Sequence, residues 1–152
     1  MSDPFQQSPP MSTQWTGGPT GPRAGFWRRA GAIFIDGIII GVPLGIIAAI
    51  IQSDGVSLLW IAVALVYFTY LEGSESGQTV GKRALGIRVI DFSSGSSIGY
   101  GRAALRSFGR ILSSFLCYLG YFWMLWDKEK QTWHDKIATT VVVPVDAYPV
   151  QR

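Results

Sequence analysis

The stretch Arg28-Arg29-Ala30-Gly31-Ala32-Ile33-Phe34-Ile35-Asp36, running on from Gly37 to Ile51, decides the fold. From Ala30 to Ile51 every residue is apolar or glycine except Asp36 and Pro43. About 20 apolar residues at ~1.5 Å rise cross the ~30 Å hydrocarbon layer, so this stretch predicts a membrane span. An ionised group at the centre of such a helix costs about 3 kcal/mol on insertion scales. Asp36 is therefore the first functional candidate, and Arg29 its expected counter-ion.

Composition points the same way. The chain has 152 residues, with 48% hydrophobic but only 15% charged, against a usual charged share of about 25%. The apolar residues gather in blocks at 30–51, 56–71 and 111–126. A net charge of +3 is modest, and the basic residues flank the apolar blocks. They read as topology signals and lipid-headgroup contacts, with no nucleic-acid partner implied. The lone Cys117 sits in an apolar run and reads as a small buried hydrophobe.

Residues 1–25 hold five of the eight prolines and read as a disordered tail without the apolar core of a signal peptide. On this reading 26–145 is the membrane domain and 146–152 a C-terminal tail. Arg23, Arg28 and Arg29 precede the first span, while Gln52-Ser-Asp-Gly55 carries no Lys or Arg. The positive-inside rule then puts the N-terminus in the cytoplasm. Gly37, Gly41 and Gly45 recur at spacing four, a stripe that serves either intramolecular helix packing or a homo-oligomer. Pro43 frees the Ile39 carbonyl and predicts a kink.

Val56 to Leu71 predicts the second span, with Glu72 at its interfacial end, facing headgroups or joining a polar cluster with Arg29 or Lys82. The next loop holds Gly77-Gln78-Thr79-Val80-Gly81-Lys82-Arg83. Its glycine spacing is one short of a phosphate loop, and Arg83 stands where Ser or Thr would bind magnesium. No nucleotide site is predicted. Leu85 to Asp91 reads as a strand, able to pair with the β-branched Thr139 to Val143. Arg102, Arg106 and Arg110, spaced by four, form one helix face. The third apolar block, 111–126, reaches only about 24 Å and has basic flanks on both sides. It predicts either a broken, re-entrant pair bending near Ser113-Ser114 or Gly120, or a simple third span. The expected fold is thus an all-α membrane protein with two firm transmembrane helices, a third apolar segment and a small cytoplasmic β pairing.

His134 is the only histidine, and no His or Cys spacing supports a metal site. An interfacial histidine is the plain reading and a proton relay the sharper one. No nucleophile is paired with a base and no cofactor fingerprint occurs, so neither catalysis nor a cofactor is expected.

Several motifs together resemble one family. Arg29-x-x-Ala32-x-x-x-Asp36, Gly77-Gln-Thr-Val-Gly-Lys-Arg-Ala-Leu-Gly-Ile-Arg-Val89, Ala104-Leu-Arg106, Asp127 and Gln131-Thr-Trp-His134-Asp135-Lys-Ile-Ala138-Thr-Thr140 occur in that order. The sequence is similar, over about 24–145, to the RDD family of small bacterial membrane proteins, named for one arginine and two aspartates. The resemblance implies a polar core of Arg29, Asp36 and Asp135, supported by Gln78, Lys82, Arg106, Asp127 and His134, to which the position of Glu72 at the end of the second span adds a further supporting group. It also implies an unassigned role, with transport of small ligands or cation/proton antiport attributed to some members. Two mechanisms follow as expectations. In one, a homo-oligomer moves a ligand or a cation past Arg29 and Asp36. In the other, those residues and Asp135 form a structural clamp in a non-transporting accessory or scaffold subunit with a membrane-protein partner.

Overall fold

The structure is a computed structural model that describes residues 21–53, 55–115 and 119–149. The first apolar block forms α1 (Phe26–Ile51), unbroken through Pro43, and the second forms α2 (Gly55–Gly73). At 26 and 19 residues they reach ~39 and ~29 Å, enough to span. Only one stripe of α1 is buried: Arg29, Ala32, Asp36, Ile40 and Leu44, at helical spacing. Phe34, Val42, Ile46 and Ile50 point outward, as do Leu58 and Val66 of α2. Water would penalise such a surface, and lipid is its natural solvent. Of the glycine stripe only Gly41 meets α2, where a methyl group would lie 3.2 Å from the Trp60 ring; Gly37 and Gly45 face open space.

The third block is bent. It is divided between the end of α4 (Gly99–Phe115) and α5 (Leu119–Phe122), the latter running into a 3₁₀ turn, Trp123–Leu125. The two segments stand at 113° to each other, with the break just past Ser113-Ser114. Cys117 lies outside the described residues. Gly120 packs on Ser113 so closely that a methyl group would come within 2.3 Å of its Oγ.

Between the helices lies a two-stranded antiparallel sheet, β1 (Ile87–Asp91) with β2 (Thr140–Pro144), Val89 opposite Val142. Each strand follows a five-residue helix, α3 (Val80–Ala84) and α6 (Trp133–Ile137). The two halves repeat each other at an offset of 53 residues. Gln78 Nε2 donates to the Ile87 carbonyl at 3.0 Å, and Gln131 Nε2 to the Thr140 carbonyl at 2.8 Å. Thr79 and Thr132 are the N-caps of α3 and α6. Gly77 and Lys130 have φ of +61° and +50°, Gly86 and Thr139 +63° and +53°. Phe92 N–H bonds the Thr139 carbonyl, and Val145 N–H the Gly86 carbonyl. A local two-fold axis therefore passes between Val89 and Val142.

The sheet is buried on both faces. Ile87, Val89 and Val142 pack with Ala32 of α1 and Ala103 of α4, while Ile90, Val141 and Val143 pack with Tyr148. The anchored chain therefore reaches beyond the 26–145 expected from sequence. Ala24 N–H bonds the Val142 carbonyl at 2.9 Å, Arg23 Nε bonds Glu129 Oε2 at 2.9 Å, and Tyr148 is buried. Backbone bonding and an aromatic ring override the polar, Pro-rich composition there. Residues 1–20 and 150–152 lie outside the described residues.

A buried polar clamp at one end of the helices

Arg29 does not pair with Asp36. Its Nη1 donates to Asp135 Oδ2 at 2.5 Å, with both side chains buried. A guanidinium on the first turn of α1 thus reaches the capping box of α6, where Thr132 N–H also donates to Asp135 Oδ2 at 3.1 Å. Arg106 of α4 bonds the other carboxylate oxygen, Oδ1, and Thr140 Oγ1. Burial would raise the Asp135 pKa, but Arg106 and Arg29 outweigh it and hold the carboxyl well below its ordinary value.

Asp36 is satisfied by neutral donors. Oδ2 accepts from Thr79 Oγ1 at 2.6 Å; Oδ1 accepts from Gly81 N–H at 2.7 Å and Tyr67 O–H at 2.8 Å. The loop that looks like a phosphate loop therefore does embrace an anion, the protein's own carboxylate at the start of α3. Gly81 is required for the approach: a methyl group there would lie 2.1 Å from the Ala32 carbonyl oxygen.

Glu72 is wholly buried and does not face headgroups. Its partners are Lys82 Nζ, Arg106 Nε at 2.9 Å and Arg110 Nη2 at 2.8 Å. Three cations on one carboxylate explain why it can sit dry at a helix end, since a lone charge there would be prohibitive. Burial, assisted by Arg106 and Arg110 and opposed by Glu72, lowers the Lys82 pKa to about 8. Arg110 also stacks over Phe68, 4.1 Å from its centroid. Arg102 pairs with Asp91 on β1. The face 102–106–110 thus meets carboxylates of the protein, where sequence alone suggested headgroups.

His134 is buried beside the cluster, its Nε2 3.0 Å from Thr132 Oγ1 and 3.8 Å from Asp135 Oδ1. Burial, with Arg110 and Arg106 nearby, depresses its pKa well below the ordinary value and keeps it neutral, although Asp135 opposes this. Asp127 lies apart, accepting from Gln131 N–H at 3.0 Å and pairing with Lys136. Gln78 buttresses β1 away from the ion pairs. Among the described residues no three His, Cys, Asp or Glu side chains converge as a metal site requires.

Of the expected polar core, Arg29, Asp135, Glu72, Lys82 and Arg106 come together, with His134 alongside. Asp36 binds the adjacent α3 turn. Arg110, expected on the basic helix face, completes the site together with Tyr67, Thr79, Gly81 and Thr140, which were not singled out as site residues from sequence. Thr79 and Gly81 could have been found as a capping threonine and a close-approach glycine within one motif.

Two apolar spanning helices, closed at one end by a buried ionic clamp and a small sheet, define an integral membrane protein. The chain belongs to the RDD family, which it matches over residues 23–139. It is similar to "Uncharacterized protein YxaI" of Bacillus subtilis, 33% identical over 147 residues, covering 79% of this chain and 96% of that protein. It is also 33% identical over 101 residues to the "Proline-rich antigen" of Mycobacterium leprae, covering 62% of this chain and 41% of that protein. "Uncharacterized protein YckC" of Bacillus subtilis is 35% identical over 130 residues, covering 78% and 83%. No solved structure matches.

Proposed function

We propose that the chain is a non-transporting accessory or scaffold module of the bacterial plasma membrane, in which Arg29, Asp36 and Asp135 lock the first span to the sheet. The observation that carries this reading is the enclosure of Asp36. It is 1% exposed and accepts three hydrogen bonds from Tyr67, Thr79 and Gly81. A carboxylate that carries cations must gain and lose a ligand, and three of this one's roughly four acceptor positions are taken by backbone and hydroxyl donors. The arginines before α1 and the basic sheet segments favour a cytoplasmic clamp. Ala24 and Val142, bonded to each other, would then lie on one side. The partner on this reading is another membrane protein. Purification of the full chain from its own membranes in a mild detergent should recover that protein in fixed stoichiometry. Recovery of self-oligomers alone would count against it.

Transport by a homo-oligomer is the second reading, favoured by a cavity of about 460 Å³ beside Arg29 and Lys82. Two spans and a bent segment enclose no pathway alone, so several copies would be required. Proteoliposomes would then show proton-coupled cation flux that Asp36→Asn abolishes. Equal flux in wild type, variant and protein-free vesicles would exclude it.

A further inference from the structure

The cavity beside the clamp has the wrong charge to stay unneutralised. Four cations, the buried Arg29, Lys82 and Arg106 and the half-buried Arg110, face two carboxylates, Glu72 and Asp135, an excess of two positive charges. Asp36, held by neutral donors, reduces the excess to one if it is counted. An uncompensated cation out of water costs several kcal/mol. Arg29, Lys82 and Arg110 all line the cavity, which measures about 460 Å³. Arg29 is 7% exposed, yet its Nε and Nη2 have no acceptor among the described residues. The same is true of Arg110 Nε and Nη1 and of His134 Nδ1.

Apart from Tyr121, Thr132 and His134, the rest of the lining is apolar. Phe26, Ile33, Phe34, Phe122 and Met124 form the wall. Phe34 and Phe122 are also exposed on the outer surface of the helices, so the wall continues onto the face that lipid covers. A site with guanidinium donors at its base and an aromatic rim open to lipid fits an amphiphile with an anionic head. Guanidinium forks match the geometry of phosphate oxygens, and charge-assisted bonds of this type are about twice as strong as neutral ones.

We propose that this cavity binds the phosphodiester headgroup of an anionic phospholipid, with Arg29 and Arg110 donating to the phosphate and the acyl chains lying over Phe34 and Phe122. A zwitterionic lipid offers the same phosphate but brings an ammonium towards Lys82 and the arginines, and is disfavoured. Bound lipid would cancel one positive charge, the whole excess when Asp36 is counted, and tie the closure of the clamp to the composition of the surrounding leaflet. The site stands whether or not anything is transported.

The test is native mass spectrometry of the full chain in detergent, titrated with phosphatidylglycerol or with phosphatidylcholine of the same acyl chains. A one-to-one phosphatidylglycerol adduct is expected, favoured ~10-fold or more over phosphatidylcholine, the equivalent of one charge-assisted contact. Arg110→Gln should weaken it by a similar factor while leaving Glu72 paired with Lys82 and Arg106. Ala30→Phe fills the cavity without touching an ion pair, and should abolish the adduct with the melting temperature of the lipid-free protein retained. Inorganic phosphate at millimolar concentration should not displace the lipid. Equal retention of the two lipids, or unchanged retention in Ala30→Phe, would overturn the proposal. So would one-to-one binding of inorganic phosphate that competes with the lipid, which would mark a site for the free anion.

Discussion

Arg29 and Asp135, 106 residues apart in sequence, form one buried hydrogen-bonded ion pair, and Asp36, seven residues from Arg29, takes no part in it. The family's three charged residues are therefore two contacts that make one joint. Arg29 ties α1 to α6, and Asp36 ties α1 to α3. Since α3 and α6 are the equivalent short helices of the 53-residue repeat, the first span grips both copies of that repeat near its two-fold axis.

Breaking the pair from either side leaves a buried charge without its partner, which typically costs about 3–5 kcal/mol. Asp135→Asn should be the worse of the two single changes. It removes one of the two carboxylate partners of Arg106 as well as the partner of Arg29, and weakens the acceptor for Thr132 N–H. Arg29→Gln should cost less, and the double variant less than the two singles combined. Thermal unfolding in detergent of the four members of the cycle measures this. Additive losses would show that the two residues do not interact.

The contact of α1 with α3 depends on a missing side chain. Gly81→Ala would push a methyl group against the Ala32 carbonyl and draw Gly81 N–H away from Asp36. Overpacking and a lost charge-assisted bond together predict ~3 kcal/mol of destabilisation. Gly86→Ala is the control: nothing lies within 4 Å, so its smaller penalty, ~1 kcal/mol, reflects only its φ of +63°. Chemical unfolding of the two variants should separate them by at least ~1.5 kcal/mol.

The two spans and the strand pairing were legible, and the bend of the third block stood as one of two readings, because lipid and sheet leave coarse marks in sequence. They show in run length, a serine pair between basic flanks, and alternating β-branched residues. The partners inside the clamp were not legible, because an ion pair is set by where helices end in space. Arg29 is two turns from Asp36 and on the same side of α1, which made that pairing plausible. Yet the packing of α6 brings Asp135 to Arg29, while the α3 turn satisfies Asp36. The repeat escaped notice for a different reason. Its identities are only Gln78, Thr79 and Val89 against Gln131, Thr132 and Val142, and the equivalent positions Lys82 and Asp135 carry opposite charge.

His134 gives the clamp a pH dependence. Its folded pKa is lowered from an ordinary value of about 6.5, chiefly by burial, so the unfolded chain binds the proton more tightly. Stability from this group is therefore fully present above about pH 6.5 and is lost as pH falls from there towards the folded value. Asp135, also lowered, adds a second loss that begins near the ordinary carboxyl range of about 4. The melting temperature in detergent should fall steadily between pH 6.5 and 5 in the wild type. In His134→Gln, which can keep the bond to Thr132, it should be flat over that window and fall only at lower pH. A variant that follows the wild-type curve would place the titrating group elsewhere.

The repeat makes the most specific prediction, because it states that two distant glutamines do the same work. Gln78 and Gln131 each donate a side-chain N–H to the first carbonyl of the strand that follows, Ile87 at 3.0 Å and Thr140 at 2.8 Å. Both residues are buried, so truncation leaves a carbonyl without its donor and predicts a loss of about 1–2 kcal/mol for either alanine variant. The two bonds brace opposite ends of one sheet, since Ile87 pairs with Pro144 and Thr140 with Asp91. They share no partner, so the double variant should lose the sum of the singles within about 0.5 kcal/mol. Hydrogen exchange of Val89 and Val142 should accelerate to the same degree in the two single variants. If Gln131→Ala frayed β2 and left β1 protected, the halves would be independent and the two-fold relation only geometric.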